Sequence, residues 1–248
     1  MKIRELKADI RRVFSCKVST PQCQRARAKA LFLIEGKLLD HYAKVWDYGQ
    51  EILRSNPGIT VNIGVKSNPD GNYFQRIYIC FKALKDGWNN GCRRVIGLDG
   101  CFLKGRVKGE LLFAIGRDAN NQIYPIAWVV VDVENKDNWK WFVELLGADI
   151  GFKQGRGLTL ISDQQKGLVE SVKELMPYAE HKQCARDIYA NFRKNFNGEM
   201  YKKMFWRCCM STTEEGFKSN MEELRKFSQE AYDHLTKRDP NTWSRAFF

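Results

Sequence analysis

The sequence lacks any uninterrupted apolar run approaching the roughly 18 residues that a membrane-spanning helix needs, so we expect no membrane segment. It opens without a signal peptide, and it has no short cluster dense in lysine and arginine that would mark nuclear import. The segment Gly155-Arg156-Gly157 lacks the pattern of a dinucleotide site or a P-loop, so it is predicted to be an ordinary loop.

Acidic residues are scarce beside basic ones: 29 Asp and Glu stand against 41 Lys and Arg, which gives a net charge of +12. A surplus of this size attracts polyanions, and nucleic acid is the usual one, although plain solubility is the alternative. The apolar fraction of 44% is enough to build a core, so a disordered chain is not expected.

The cysteines do not form the pattern of a disulfide framework, because they lie mostly inside apolar or helical runs. Reduced thiols in a cytosolic or nuclear protein are the simplest interpretation. The eight residues are Cys16, Cys23, Cys80, Cys92, Cys101, Cys184, Cys208 and Cys209.

The N-terminal segment, residues 1–55, is predicted to be helical and basic, in the manner of a helix-turn-helix. Thr20 is predicted to cap a second helix that runs to Ile34, with Pro21 at its first position. An ordinary amphipathic hairpin would give the same pattern, so DNA binding here is one of two interpretations. The candidate DNA contacts on this helix are Arg25, Arg27 and Lys29.

The rest of the chain divides by its periodicity into three segments. Residues 56–91 predict two strands in a small β module or linker, and residues 92–196 predict the main domain. In that domain the element order β-β-β-α-β-α-β-α indicates a mixed α/β sheet with helices on its faces. Residues 197–248 are predicted to be helical to their end.

Two of the predicted core strands end on, or just before, an aspartate. Asp99 follows Val95-Ile96-Gly97-Leu98, and Asp163 follows Leu158 to Ser162. An isolated charge is unfavourable at the end of a buried strand unless something compensates it. Turn or helix capping explains each aspartate singly, but the pair suggests a divalent cation, Mg²⁺ or Mn²⁺, and phosphodiester chemistry.

Four motifs in this order resemble plant Mutator-like (MULE) transposases. They are Leu98-Asp99-Gly100-Cys101-Phe102-Leu103-Lys104-Gly105, Glu134-Asn135-Lys136-Asp137-Asn138-Trp139-Lys140-Trp141-Phe142, Ile161-Ser162-Asp163-Gln164-Gln165-Lys166-Gly167-Leu168 and Cys184-Ala185-Arg186-Asp187-Ile188-Tyr189-Ala190-Asn191-Phe192. The resemblance implies an RNase H-like core and a DDE triad, with Asp99 and Asp163 as its first two carboxylates. It also implies Mg²⁺ or Mn²⁺, a DNA substrate (transposon terminal repeats or genomic DNA) and a nuclear location. Both a monomer and a homo-oligomer are compatible with these patterns.

The sequence departs from the family pattern in two places. The family has Cys-x-x-His after the second aspartate, whereas here Cys184 is followed by Asp187, so the His is absent. Half of a zinc site is the alternative to a structural role for Cys184. The third carboxylate is also not identifiable, since the chain is expected to end inside the helical insertion that precedes it. Four later glutamates are expected on solvated helix faces: Glu214, Glu215, Glu222 and Glu223.

These patterns predict a Mutator-like DNA transposase, as a truncated and catalytically incomplete copy. The alternative is a domesticated DNA-binding or regulatory protein without catalysis. Further candidate DNA contacts lie beside the two aspartates: Lys104, Arg106, Lys108 and Lys166.

Overall fold

The computed structural model describes residues 2–35, 38–69, 71–104 and 108–248. The chain forms two compact units, Met1–Ile52 and Leu53–Phe248. Within the described ranges, no helix is both long enough and apolar enough to cross a membrane.

Four helices occupy the N-terminal part of the chain. They are α1 (Ile3–Phe14), α2 (Thr20–Glu35), α3 (Leu38–Ala43) and α4 (Val45–Ser55). The sequence pattern predicts one helix from about Leu38 to Arg54, but a turn at Lys44 divides this segment into α3 and α4. The predicted cap of α2 is wrong by one residue: Gln22 N donates to Ser19 Oγ at 3.3 Å, and Ser19 N donates to Gln22 Oε1 at 2.8 Å. This reciprocal pair makes Ser19 the N-cap.

One seven-stranded mixed sheet organises the second unit. Its strands are β1 (Thr60–Asn68), β2 (Gly71–Cys80), β3 (Val95–Phe102), β4 (Glu110–Arg117), β5 (Ile123–Val131), β6 (Thr159–Ser162) and β7 (Glu180–Gln183). Their order across the sheet is β1-β2-β5-β4-β3-β6-β7. The neighbours from β1 to β3 pair antiparallel, whereas β6 pairs parallel with β3 and β7 parallel with β6. The predicted α/β class and the order of elements in the main domain are confirmed.

Helices cover this sheet and bury its apolar positions. They are α5 (Lys82–Gly91), α6 (Lys136–Ile150) and α7 (Lys166–Leu175), whereas α8 (Ala185–Phe192) follows β7 and packs in the C-terminal core. The core beneath them is aromatic as well as aliphatic, since Trp88, Trp139 and Phe142 are fully buried. The β1–β2 hairpin belongs to the same sheet, because β2 pairs with β5 from Arg76↔Val131 to Ile79↔Trp128.

The C-terminal helices form a second apolar core. They are α9 (Glu199–Cys209), α10 (Glu214–Phe227) and α11 (Gln229–Thr236). Phe192 of α8, Phe205 of α9 and Trp243 all pack within this core. The residues after α11 also reach the sheet, because the buried ammonium of Lys182 on β7 donates to the carbonyl oxygens of Asn241 at 2.7 Å and Phe247 at 3.0 Å.

A buried polar network ties β1 and β2 to α5 and α6. Asp149 accepts hydrogen bonds from Tyr78 Oη at 2.8 Å, Thr60 Oγ1 at 2.7 Å and Lys85 Nζ at 2.9 Å. Burial, together with the neighbouring Cys80 and Asp149, raises the pKa of Tyr78 far above its usual range, so its hydroxyl stays a donor. The network therefore neutralises Asp149 and satisfies both of its oxygens.

We expect Asp149→Ala to destabilise the protein by about 3–5 kcal/mol, because it leaves the Lys85 ammonium buried without its counter-charge. Urea denaturation measures this loss. The matched control is Glu174→Ala, which breaks the half-exposed ion pair with Lys140 and should cost much less stability, because solvent screens that pair. Equal losses in the two variants would contradict the assignment.

Candidate active site

The parallel pairing of β3 with β6 sets the positions of the two aspartates. The register runs from Val95↔Thr159 to Leu98↔Ser162, and Asp99 and Asp163 are the next residues on the two chains. Adjacent strands lie about 4.8 Å apart, and residues at matching register positions share a face of the sheet. Asp99 and Asp163 therefore lie side by side where the parallel pairing ends.

Each aspartate is held by a backbone amide close to it in sequence. Asp99 Oδ1 accepts from Gly100 N at 2.8 Å, while β3 continues to Phe102 through its pairing with β4. Asp163 Oδ1 accepts from Gln165 N at 3.0 Å, in the turn between β6 and α7. Neither aspartate caps a helix, because Gln165 is the N-cap of α7 and Asp99 lies within β3; the turn interpretation describes Asp163 alone. Among the described residues, the second oxygen of each has no hydrogen-bond donor.

Neighbouring negative charges surround Asp99. Burial raises its pKa first; the Gly100 amide opposes this, and the like charges of Asp187 and Asp163 raise the pKa further. The Arg186 guanidinium acts the other way and lowers it. The carboxylates of Asp99, Asp163 and Asp187 are thus within electrostatic reach of one another.

Glu134, which precedes α6, is a further acidic neighbour. Its Oε1 accepts from Trp139 Nε1 at 2.9 Å. Burial raises the pKa of Glu134, and the charges of Asp163, Glu110 and Asp99 add to that effect. A Cβ built on Gly100 would lie 3.3 Å from the Glu134 carboxylate, so the glycine keeps that space open. The sequence motif that contains Glu134 did not by itself assign the residue to the site.

Cys184 and Asp187 stand at the start of α8. Cys184 N donates to Ser162 O at 2.6 Å, which joins the start of α8 to the end of β6. Burial raises the pKa of the Cys184 thiol, and its hydrogen bond to Asp187 raises it further. The thiol is therefore protonated at neutral pH. Asp187, at the position where the family pattern has His, instead adds a negative charge next to Asp99.

The predicted metal ligands, Asp99 and Asp163, form one pair of neighbouring carboxylates. Within the ranges that the structure describes, no three His, Cys, Asp or Glu residues are arranged to hold a metal ion together. The zinc alternative for Cys184 has no partner set there either. The four later glutamates lie on α10, where Glu214, Glu222 and Glu223 contact Lys218, Arg225 and Arg207. Glu215 is exposed on the same helix.

The predicted DNA contacts fall in three places. Lys166 is the first residue of α7 and lines a cavity with Asp163. Lys104 and Lys108 are exposed in the connection from β3 to β4, whereas Arg106 lies outside the described residues. The side chains of Arg25, Arg27 and Lys29 are exposed on α2 in the first unit. Their roles in DNA binding stay predictions.

Comparison with known proteins addresses the segment that carries this geometry. A search of curated proteins finds no match. The family model for the MULE transposase domain matches residues 95–191, which run from the first residue of β3 into α8. Asp99, Glu134, Asp163 and Asp187 all lie inside the matched segment. Residues 95–191 of this chain are therefore similar to the MULE transposase domain.

Proposed function

We propose that this protein is a catalytically incomplete copy of a DDE-type DNA transposase, an enzyme that cleaves DNA and transfers the freed strand in a divalent-metal-dependent reaction. The single observation that supports this most strongly is the alignment of Asp99 with Asp163 at the end of the β3–β6 parallel pairing, inside the matched domain. A domesticated DNA-binding protein would have no need for two adjacent carboxylates with open oxygens.

The topology supports an RNase H-like arrangement for the core. Its five strands run β5-β4-β3-β6-β7, with β3, β4 and β5 as an antiparallel meander and with β6 and β7 parallel to β3. The family resemblance implies an RNase H-like core. The topology has Asp99 on the central strand β3, which continues to Phe102, and Asp163 beside it just after the end of β6.

The carboxylate pair fits a hard divalent cation, which we propose to be Mg²⁺ or Mn²⁺. Mg²⁺ is usually held by only one or two carboxylates, with water and substrate phosphates as the other ligands. Burial first, and then the charges of Asp187 and Asp163, raise the pKa of Asp99, and a bound cation would favour its charged form. When bound, the ion would polarise the phosphate and lower the pKa of the attacking water.

The chain's own residues supply the position and the charge for this reaction. Asp99 and Asp163 would hold the cation, and the register of their strands keeps the two carboxylates beside each other, where a DNA phosphate would be positioned. Lys166, Lys104 and Lys108 contact DNA phosphates on either side. We assign no third carboxylate, and we therefore expect the purified chain to cleave DNA poorly.

We expect Asp163→Asn to lower the affinity for Mn²⁺ by about tenfold or more, because the amide replaces a charged oxygen ligand. Titration calorimetry of the full chain measures this change. Any Mn²⁺-dependent nicking of terminal-repeat DNA should be lost in both Asp163→Asn and Asp99→Asn. The control Glu215→Gln changes an exposed glutamate of α10 and should bind Mn²⁺ as the wild type does. Unchanged Mn²⁺ affinity in Asp163→Asn would refute the metal site.

We expect Asp99→Asn to raise the melting temperature at pH 7 in EDTA. The folded-state pKa of Asp99 is raised, so the folded protein holds this proton more tightly than the unfolded chain does. Stability from this group is therefore present at low pH and is lost as the pH rises through the raised pKa. The gain in the variant should shrink below that pKa. Thermal melts across pH test this, and a lower melting temperature for the variant at pH 7 would contradict it.

We expect the triple variant Arg25→Ala, Arg27→Ala, Lys29→Ala to bind duplex DNA more weakly at every sequence. The slope of log K against log salt should become shallower by about 0.9 for each DNA phosphate that the variant no longer neutralises. Fluorescence anisotropy at several salt concentrations measures both effects.

A matched triple variant separates specific binding by α2 from a general decrease in net charge. Lys66, Lys226 and Lys237 are also exposed, and their replacement by alanine removes the same charge. This control should leave the salt slope close to that of the wild type. Equal salt slopes in the two triple variants would show that α2 is not part of the DNA-binding surface.

A further inference from the structure

A cavity of about 580 Å³ opens beside Asp163 at the β7 edge of the sheet. It has the size of sites that take small molecules or single nucleotides. Its walls come from three parts of the fold: the turn and first helical turns after β6, the strand β7, and the segment that follows α11. The residues that line it with Asp163 include Gln164, Lys166, Val169, His181, Gln183 and Thr242.

The register of β6 with β7 explains why polar side chains from two strands meet in this cavity. Ser162 pairs with Gln183, and Leu160 pairs with His181. Ser162 Oγ lies 2.8 Å from His181 Nε2, so the imidazole is held in place at the cavity wall. Burial lowers the pKa of His181, which keeps the ring neutral near pH 7. The wall therefore presents fixed hydrogen-bonding groups.

Two amides form a recognition edge on this wall. Gln164 Nε2 donates to Gln183 Oε1 at 2.9 Å, which joins the turn after β6 to the end of β7. This bond leaves the carbonyl oxygen of Gln164 as an acceptor and the amide nitrogen of Gln183 as a donor. In the described part of the chain, neither atom has another hydrogen-bond partner. An adjacent acceptor and donor complement the polar edge of a nucleobase.

The charged side chains that line the cavity are Asp163, Glu170 and Lys166. Glu170 also lines the cavity, but its carboxylate is paired with Lys136 Nζ at 2.9 Å. The exposed ammonium of Lys166 has no such partner among the described residues. It stands one helical turn from Asp163, where a phosphate of bound DNA would lie if Asp163 holds the cation. The cavity thus has one group for a backbone phosphate, Lys166, and different groups for a base, Gln164 and Gln183.

We propose that this cavity holds the nucleotide next to the reacting phosphate, with Gln164 and Gln183 on the edge of its base and Lys166 on its phosphate. This inference rests on the proposed function, because it places the DNA strand at Asp163. Val169 supplies an apolar contact for the ring, and it is 38% exposed before DNA binds. The cavity then selects the base at one position of the DNA.

Selection from a pool of short single-stranded DNA with randomised positions tests this proposal. The full chain is used with Mn²⁺, because the proposal places the phosphate at a cation on Asp163, and a parallel selection in EDTA reads binding without any cleavage. The wild type should select one base at one position by about fivefold or more, which is the discrimination that paired amide–base hydrogen bonds give. Gln183→Leu and Gln164→Leu should each lose that selection, and Lys166→Ala should weaken binding to all sequences alike.

The control Gln122→Leu removes an exposed amide in the turn between β4 and β5 and should keep the wild-type selection. Circular dichroism and thermal melting check that each variant folds. If Gln183→Leu does not fold, Gln164→Leu still tests the proposal, because Gln164 is exposed. Selection retained in both cavity variants would overturn the proposal, as would a wild type that binds DNA without base preference or not at all. Failure of the proposed function would be seen in a separate measurement, as Mn²⁺ binding or nicking that is the same in Asp163→Asn as in the wild type.

Discussion

The parallel pairing of β3 with β6 is the constraint on which the site depends. A slip of one residue would turn Asp163 to the opposite face of the sheet, because strand side chains alternate. Burial fixes the register, since Ile96, Leu98 and Leu160 must all face the helices α6 and α7. Close packing between α6 and α7 adds to this constraint. A Cβ on Gly167 of α7 would lie 2.7 Å from the amide nitrogen of Lys136 in α6, so glycine permits these two helices to meet there.

Asp149 and Asp99 differ in how far the fold compensates their charge. Asp149 is almost buried, and the fold gives it an ammonium and two hydroxyl donors, so its charge is compensated in full. Asp99 has a single backbone donor, and burial together with the like charges of Asp187 and Asp163 raises its pKa. The contrast supports the proposed cation site, because a bound ion would supply the charge compensation that the fold does not give Asp99.

Local patterns were sufficient to predict the elements of the main domain and the pair Asp99 and Asp163. They were insufficient wherever long-range pairing decides the structure. The helix α5 was not predicted, and the β1–β2 hairpin carries no local sign that β2 pairs with β5. Asp187 was noted only as the residue in place of a His, since its approach to Asp99 depends on how α8 leaves β7. The chain after Asn197 was predicted to be helical, but not that Trp243 would be buried in a core of its own.

That second core has a consequence for the site, because it holds β7 and α8 from the far side. Lys182 lies on β7 between His181 and Gln183, and it is bonded to carbonyl oxygens near the C-terminal end. Phe192 and Ile188 anchor α8 in the same core, so the start of α8 with Asp187 cannot move independently of it. The helices that follow the matched domain therefore fix the wall of the proposed nucleotide cavity and the charge beside Asp99. A helical segment with no assigned chemistry thus determines the geometry in which the chemistry would occur.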